Sequence, residues 1–398
     1  MSSIRIQSMT QQKTETGCDV EYQISIREHP YALQYHIEGD MHEVPECCDG
    51  VVTTFLLHAM RNGLDIISDV PISKKLLYNI RYHIVPGIYG CNPQKTTNIS
   101  LDMPVTDERY EGDWVGTGVS LGVDSFVTIH EYLEDAPFED YKLTHLVHLK
   151  VGAHHGNLGY FDKEVESDLF AAEQKKVQAY CKEFGFNLVT VESNLFEICN
   201  IEFGFIFGIT HALVNLGTIM QLQGRFSKYC YASGYALSEF KVDSNDDMSH
   251  YEKWLIPYLA TENIEFFSAN KDMGRMEKTK YICRFPDTYD YLHVCWHNEK
   301  NCGKCAKCIR TLTTLDLLGA VQNYKNVFDV DAYYKDRYRS FCRVAAMRGR
   351  DPLFAEIYDY MKENGIKTPN PIAVFWTKIC IFVSAVRGKL RTAIGKNK

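Results

Sequence analysis

Apolar and polar residues alternate through "CDVEYQISIREHPYALQYHIEGD", residues 18–40, and this period of two predicts two strands joined by a turn at His29-Pro30. The rhythm then lengthens. In "CDGVVTTFLLHAMRNG" the apolar residues fall at helical spacing and stop at Gly63, while "SKKLLYNIRYHIVPGIYG" predicts a second short helix running into a strand. Residues 1–110 therefore read as an N-terminal α+β module.

From residue 111 the pattern changes again. Short apolar runs at 114–118, 143–151, 187–192 and 229–232 alternate with helical patterns at 125–134, 163–184 and 206–222. Such alternation predicts an α/β domain, a parallel sheet with helices on both faces, whose ligands sit at the carboxyl ends of its strands. It extends to about residue 318, where a helical region, 319–398, takes over with Gly319, Gly349 and Gly365 as expected stops. Within it, "PIAVFWTKICIFVSAVRGKLRTAIGKNK" has an apolar stretch interrupted by Lys378 and a basic end. That stretch is shorter than the roughly 20 residues a bilayer span needs. No transmembrane span is expected; a docking helix is the first reading and a membrane-surface helix the alternative.

A length of 398 residues fits two or three domains, and 45% hydrophobic with 24% charged residues is the balance of a soluble globular chain. The net charge of −8 opposes bulk binding to a polyanion, so nucleic acid is not an expected partner. The first residues lack the apolar core of a secretory signal, which points to the cytoplasm. Of fourteen cysteines, four crowd between Cys295 and Cys308. In a reducing compartment that clustering argues for metal or redox chemistry rather than a disulfide framework.

Two stretches carry most of the chemistry. "GTGVSLGVDSFVTIHEYL", residues 116–133, turns from strand to helix through Ser120-Leu121-Gly122-Val123-Asp124-Ser125. This places Ser120, Gly122 and Ser125 at a helix N-terminus, where unpaired N–H groups and the helix dipole favour an anion. Capping and turn formation alone would also account for serine, aspartate and glycine here. Asp124 fits poorly beside a phosphate unless a cation lies between them.

The order S-x-G-x-D-S between strand and helix resembles the S-G-G-x-D-S loop of the PP-loop ATP pyrophosphatases, a Rossmann-like family that cleaves ATP between the α and β phosphates and transfers AMP to a substrate oxygen. The match holds at Ser120, Gly122, Asp124 and Ser125 and departs at Leu121, where the family has glycine. The resemblance implies ATP held by the loop, with Mg²⁺ bound by Asp124.

The second stretch, "VCWHNEKNCGKCAKCIRTL", supplies Cys295, Cys302, Cys305 and Cys308. Four thiolates at these spacings suit a closed, structural tetrahedral Zn²⁺, with an iron–sulfur cluster or four free thiols as alternatives. Lys304, Lys307 and Arg310 could offset the charge. A PP-loop followed by such a cluster resembles the 7-cyano-7-deazaguanine synthases over residues 113–318. Upstream of the cysteines, Arg275 and Lys278, with Glu277 between them, are candidates to stabilise a departing pyrophosphate, or form a solvated ion pair. His211 reads as a capping or packed histidine, and His154-His155 as loop residues or substrate contacts.

The resemblance thus implies an ATP-dependent C–N ligase that adenylates a carboxylate or amide oxygen of a small-molecule substrate for attack by ammonia or an amine. A sulfur-transferring relative and a non-catalytic nucleotide-binding protein are the alternatives. A homodimer is compatible with the sequence, which does not fix the oligomeric state.

Overall fold

The computed structural model describes residues 2–136, 138–153, 163–204, 207–270 and 272–395. Among them lie twelve strands: β1 (Ser3–Lys13), β2 (Gly17–Ile26), β3 (His29–Glu38), β4 (Asp65–Ser68), β5 (Ile72–Ser73), β6 (Leu101–Asp102), β7 (Val105–Thr106), β8 (Trp114–Gly118), β9 (His145–Lys150), β10 (Asn187–Ser193), β11 (Phe226–Ala232) and β12 (Glu265–Ala269). Ten of these form one mixed sheet in the order β12-β11-β8-β9-β10-β3-β2-β1-β4-β6, and β5 pairs with β7 separately. From β12 to β10 the pairing is parallel, as the alternating pattern predicts, while β10–β3, β3–β2 and β2–β1 are antiparallel. The chain is therefore α/β with a large, mostly parallel sheet.

Residues 1–110 add to that same sheet, because β3 pairs with β10 from Tyr35 opposite Ser193 to Glu38 opposite Thr190. The chain falls into two compact units. One comprises Met1–Val119, Thr128–Gly156 and Val177–Lys271 and holds the sheet; the other comprises Ser120–Val127, Asn157–Lys176 and Asp272–Lys398.

The N-terminal hairpin turns at Arg27-Glu28 rather than His29-Pro30. Both turn residues take left-handed backbone angles, φ 50° and 73°, the conformation of a two-residue hairpin turn whose twist matches its strands. Arg27 Nη1 is held by the Glu202 backbone oxygen at 2.9 Å. Pro30 sits in the second position of β3, near the strand end, where its missing N–H costs little. The strand expected to end "IRYHIVPGIYG" is instead helical: Lys74–Asn79 continues through a π-turn at Ile80–Ile84 into Val85–Cys91, and Pro86, which has no N–H to donate, follows that π-turn directly.

In the sheet-bearing unit, the helices Asp49–Asn62 and Phe207–Ile219 cross closely. A side chain at Gly50 would lie 2.2 Å from the Gly217 carbonyl oxygen, so only glycine admits this approach. The second unit is helical, with Ala306–Leu317, Arg337–Met347 and Pro352–Glu363 built around Met276, Ile309, Val344, Phe354 and Ile357.

Candidate functional site

The loop after β8 leads into a helix spanning Val123–Glu131. Leu121 has φ 54°, the left-handed angle a glycine would take freely, and its side chain is fully buried. Its carbonyl oxygen accepts the His293 N–H at 2.8 Å, and the Gly122 oxygen accepts Phe126 N–H at 3.0 Å to open the helix. Ser125 Oγ accepts from the Ser120 amide at 3.3 Å, and Ser120 Oγ accepts from the Gly122 amide at 3.4 Å. The serines thus organise the turn. Ser120 remains exposed and Ser125 is buried.

Asp124 lies in the first helical turn. Its Oδ2 accepts from Arg275 Nη2 at 2.9 Å and its Oδ1 from Lys278 Nζ at 2.8 Å. Burial works to raise the Asp124 carboxyl, but the charges and hydrogen bonds of Arg275 and Lys278 outweigh it and hold the group well below the usual carboxylate range. The cation that the sequence demanded beside Asp124 is therefore supplied by two side chains. Lys278 is fully buried and Arg275 nearly so, and among the described residues Arg275 Nε has no hydrogen-bond partner.

Both basic residues ride on the helix Arg275–Ile282. The amides of Arg275 and Met276 each donate to the Glu356 carboxylate at 2.7 Å, so that helix N-terminus already has its anion. Glu277 turns back to accept the Gly274 amide at 3.0 Å, which makes it a cap rather than a member of the Asp124 cluster.

The four cysteine sulfurs lie within 4.8 Å of one another. A tetrahedron with metal–sulfur bonds of about 2.3 Å sets its sulfurs about 3.8 Å apart; Cys302 Sγ and Cys308 Sγ are separated by 3.9 Å. Backbone amides of Lys304 and Cys305 point at Cys302 Sγ, and that of Cys308 at Cys305 Sγ, the donors that thiolate charge requires. A hydrogen bond from Cys308 is the first cause that draws the Cys305 thiol below its ordinary value. This set of four soft ligands fits a metal such as zinc.

Asn301, which no motif in the sequence marks, frames the cluster. Its Oδ1 accepts the amides of Val294 (2.8 Å) and Cys295 (3.2 Å), and its Nδ2 donates to the carbonyls of Leu292 (2.8 Å) and Val327 (3.1 Å). The neighbouring charges also differ from expectation. Arg310 pairs with Asp351 at 3.2 Å and Lys307 lies over the Trp296 ring at 4.6 Å. Arg343 reaches the Lys304 carbonyl through its Nη1 at 3.2 Å; burial lowers its guanidinium, and the charges of Cys305 and Cys302 oppose that only in part. Nothing in the spacing around the cysteines points to residue 343.

The two motifs meet through one peptide group: His293, whose amide holds the Leu121 carbonyl, precedes Cys295 by two positions. In the sheet-bearing unit, His211 joins a separate polar group. Its Nδ1 lies 2.7 Å from Tyr231 Oη and 3.8 Å from Glu252 Oε2, and its Nε2 lies 3.3 Å from both Asp247 Oδ1 and Ser249 Oγ. It is a networked histidine, not a helix cap. His154 and His155 lie outside the described residues.

No family model matches the chain, and neither a curated protein nor a solved structure matches it.

Proposed function

We propose that the chain is an ATP-dependent adenylating enzyme of the PP-loop kind, converting ATP to AMP and pyrophosphate while it activates a carboxylate or amide oxygen of a small acceptor. The observation that carries this reading is the buried Arg275 Nε, which among the described residues has no hydrogen-bond partner, beside Asp124 in the first turn of the helix that follows the loop. An unsatisfied buried guanidinium N–H costs stability unless something binds it, and a phosphate oxygen would.

In this reading the exposed Ser120 hydroxyl and the first amides of the helix Val123–Glu131 hold the β and γ phosphates. Arg275 and Lys278 take up the negative charge that grows on the departing pyrophosphate, and Asp124 holds both cations in position. The acceptor oxygen attacks the α-phosphorus as the bond to the bridging αβ oxygen breaks. Ammonia or an amine then displaces AMP from the activated carbon. Mg²⁺ would come in with the phosphate oxygens and share Asp124. A Zn²⁺ on Cys295, Cys302, Cys305 and Cys308 would be held by four sulfurs with no open position, so its part would be structural.

Leu121 keeps a left-handed backbone angle, the one a glycine would take freely, so the loop backbone is compatible with a phosphate cradle although the residue is leucine. The test is pyrophosphate release from ATP and Mg²⁺ with a panel of carboxylate metabolites, comparing the wild type with Asp124→Asn and Lys278→Met. Release that depends on an acceptor and falls at least tenfold in both variants supports the reading. Nucleotide binding without release, or equal release by all three proteins, overturns it.

A further inference from the structure

The helix Pro371–Gly395 begins behind Asn370, whose side chain accepts the Ile372 amide at 2.8 Å and whose own amide donates to Tyr338 Oη at 3.1 Å. It packs along the helix Arg337–Met347. A helix docked in this way should turn its polar face outward. This one turns large apolar residues outward. Ile372, Phe375, Trp376, Phe382, Val383 and Val386 are all exposed, with Phe375, Trp376 and Phe382 at 59%, 60% and 61%.

Their spacing, together with half-buried Ile379, is three, one, three, three, one and three residues. At 100° per residue these positions fall on one stripe, which runs about 21 Å along the helix at about 1.5 Å per residue. Three aromatic rings on a continuous exposed stripe make an interaction surface rather than scattered surface apolar residues.

Charge identifies what covers it. Residues 371–398 contain Lys378, Arg387, Lys389, Arg391, Lys396 and Lys398 and no acidic residue, a net charge of +6, so the rest of the chain carries −14. A second copy of this chain docked on the stripe would bring two such segments together, and like charges would oppose it. A membrane-spanning role is closed by length and polarity, since among the described residues no helix is long and apolar enough to cross a bilayer.

We infer that the helix Pro371–Gly395 is a membrane-surface anchor, lying flat on an anionic lipid face with Phe375, Trp376 and Phe382 in the acyl boundary, and that the net positive charge of residues 371–398 draws the segment to that face. Aromatic rings favour that boundary, and each basic residue near an anionic surface adds attraction. The acidic remainder of the chain is repelled from the same surface, so charge orients the whole protein. This inference stands independently of the nucleotide reading.

The test is co-sedimentation of the full chain with vesicles of phosphatidylcholine containing about 30% phosphatidylserine, and with vesicles of phosphatidylcholine alone. Binding is expected to the anionic vesicles, falling as salt rises, and to drop about tenfold or more when Arg387, Lys389 and Arg391 are all changed to glutamine. The triple variant Phe375→Glu, Trp376→Glu, Phe382→Glu is expected to lose it while keeping the wild-type melting temperature, because these side chains are exposed. No binding at low salt, equal binding to both vesicles, or unchanged binding by the triple variant overturns the inference. So does a lipid-free dimer that the triple variant dissociates, which would make a second copy the occupant.

Discussion

Lys278 Nζ donates to Asp124 Oδ1 at 2.8 Å across 154 residues of sequence, and the lysine is fully buried. Removing the acid takes the carboxylate from two buried cations, whereas removing the lysine leaves Arg275 on the other carboxylate oxygen. Asp124→Ala is therefore expected to cost about 3 kcal/mol of stability and Lys278→Met about 1 to 2 kcal/mol. Urea unfolding of both variants checks the order. A larger loss for Lys278→Met would mean that the lysine's packing, not the pair, dominates.

Leu121 sets two effects against each other. Leu121→Gly relieves a left-handed angle worth about 1 to 2 kcal/mol, but it empties a fully buried leucine site, where truncation costs about 2 to 5 kcal/mol, and it frees the unfolded chain. The burial term wins, so the variant should unfold at lower urea than the wild type. Its pyrophosphate release at a temperature where both are folded should stay within about threefold, because the loop already has a glycine-type backbone. A gain of tenfold or more would show that the side chain obstructs the site.

The cysteine cluster should carry one zinc per chain, measured by metal analysis of the purified protein, and Cys302→Ser should lose it. Asn301→Ala keeps all four sulfurs but removes the acceptor and donor that fix Cys295 and the segment before it. Partners of this kind behind the ligands typically contribute about 10- to 100-fold in metal affinity, and a competition assay with a chromophoric chelator should show a weakening in that range. Wild-type affinity in Asn301→Ala would reduce Asn301 to a loop brace.

What was legible in the sequence follows the range of the forces involved. The strand at Trp114–Gly118 and the helix at Lys163–Phe184 are set by local periodicity and match their predicted bounds, and the four cysteines share one site because their spacing is short. The pairing of β3 with β10 joins residues more than 150 positions apart and leaves no periodic trace, so the N-terminal strands read as a module of their own. Asp124 raised the right question, a cation nearby. That Arg275 and Lys278 are that cation is a long-range fact. Asn301 and Arg343 act through backbone groups, which any sequence supplies, and for that reason no motif announced them.

His211 gives a pH dependence whose sign can be worked out. Burial pushes its imidazolium down, but the Asp247 hydrogen bond and the charges of Glu252 and Asp247 outweigh that and hold its pKa above the ordinary 6.5. Burial likewise raises Asp247, yet His211, first through its hydrogen bond, brings that carboxyl from 3.8 down to about 2. A base whose pKa is raised on folding adds stability that is complete below 6.5 and lost as pH rises through the folded value. An acid whose pKa is depressed adds stability that is present above 3.8 and lost as pH falls towards about 2. The pair therefore contributes most between about pH 4 and 6.5. The unfolding free energy of the wild type minus that of His211→Gln should peak in that window, at a size of about 1 kcal/mol because the Asp247 side chain is 40% exposed and partly screened, and shrink on either side. Tyr231 and Ser249, the other groups on the ring, do not titrate there, so a difference that is flat from pH 4 to 8 would mean His211 is held neutral by Tyr231 and Ser249 and the ion pair does not form.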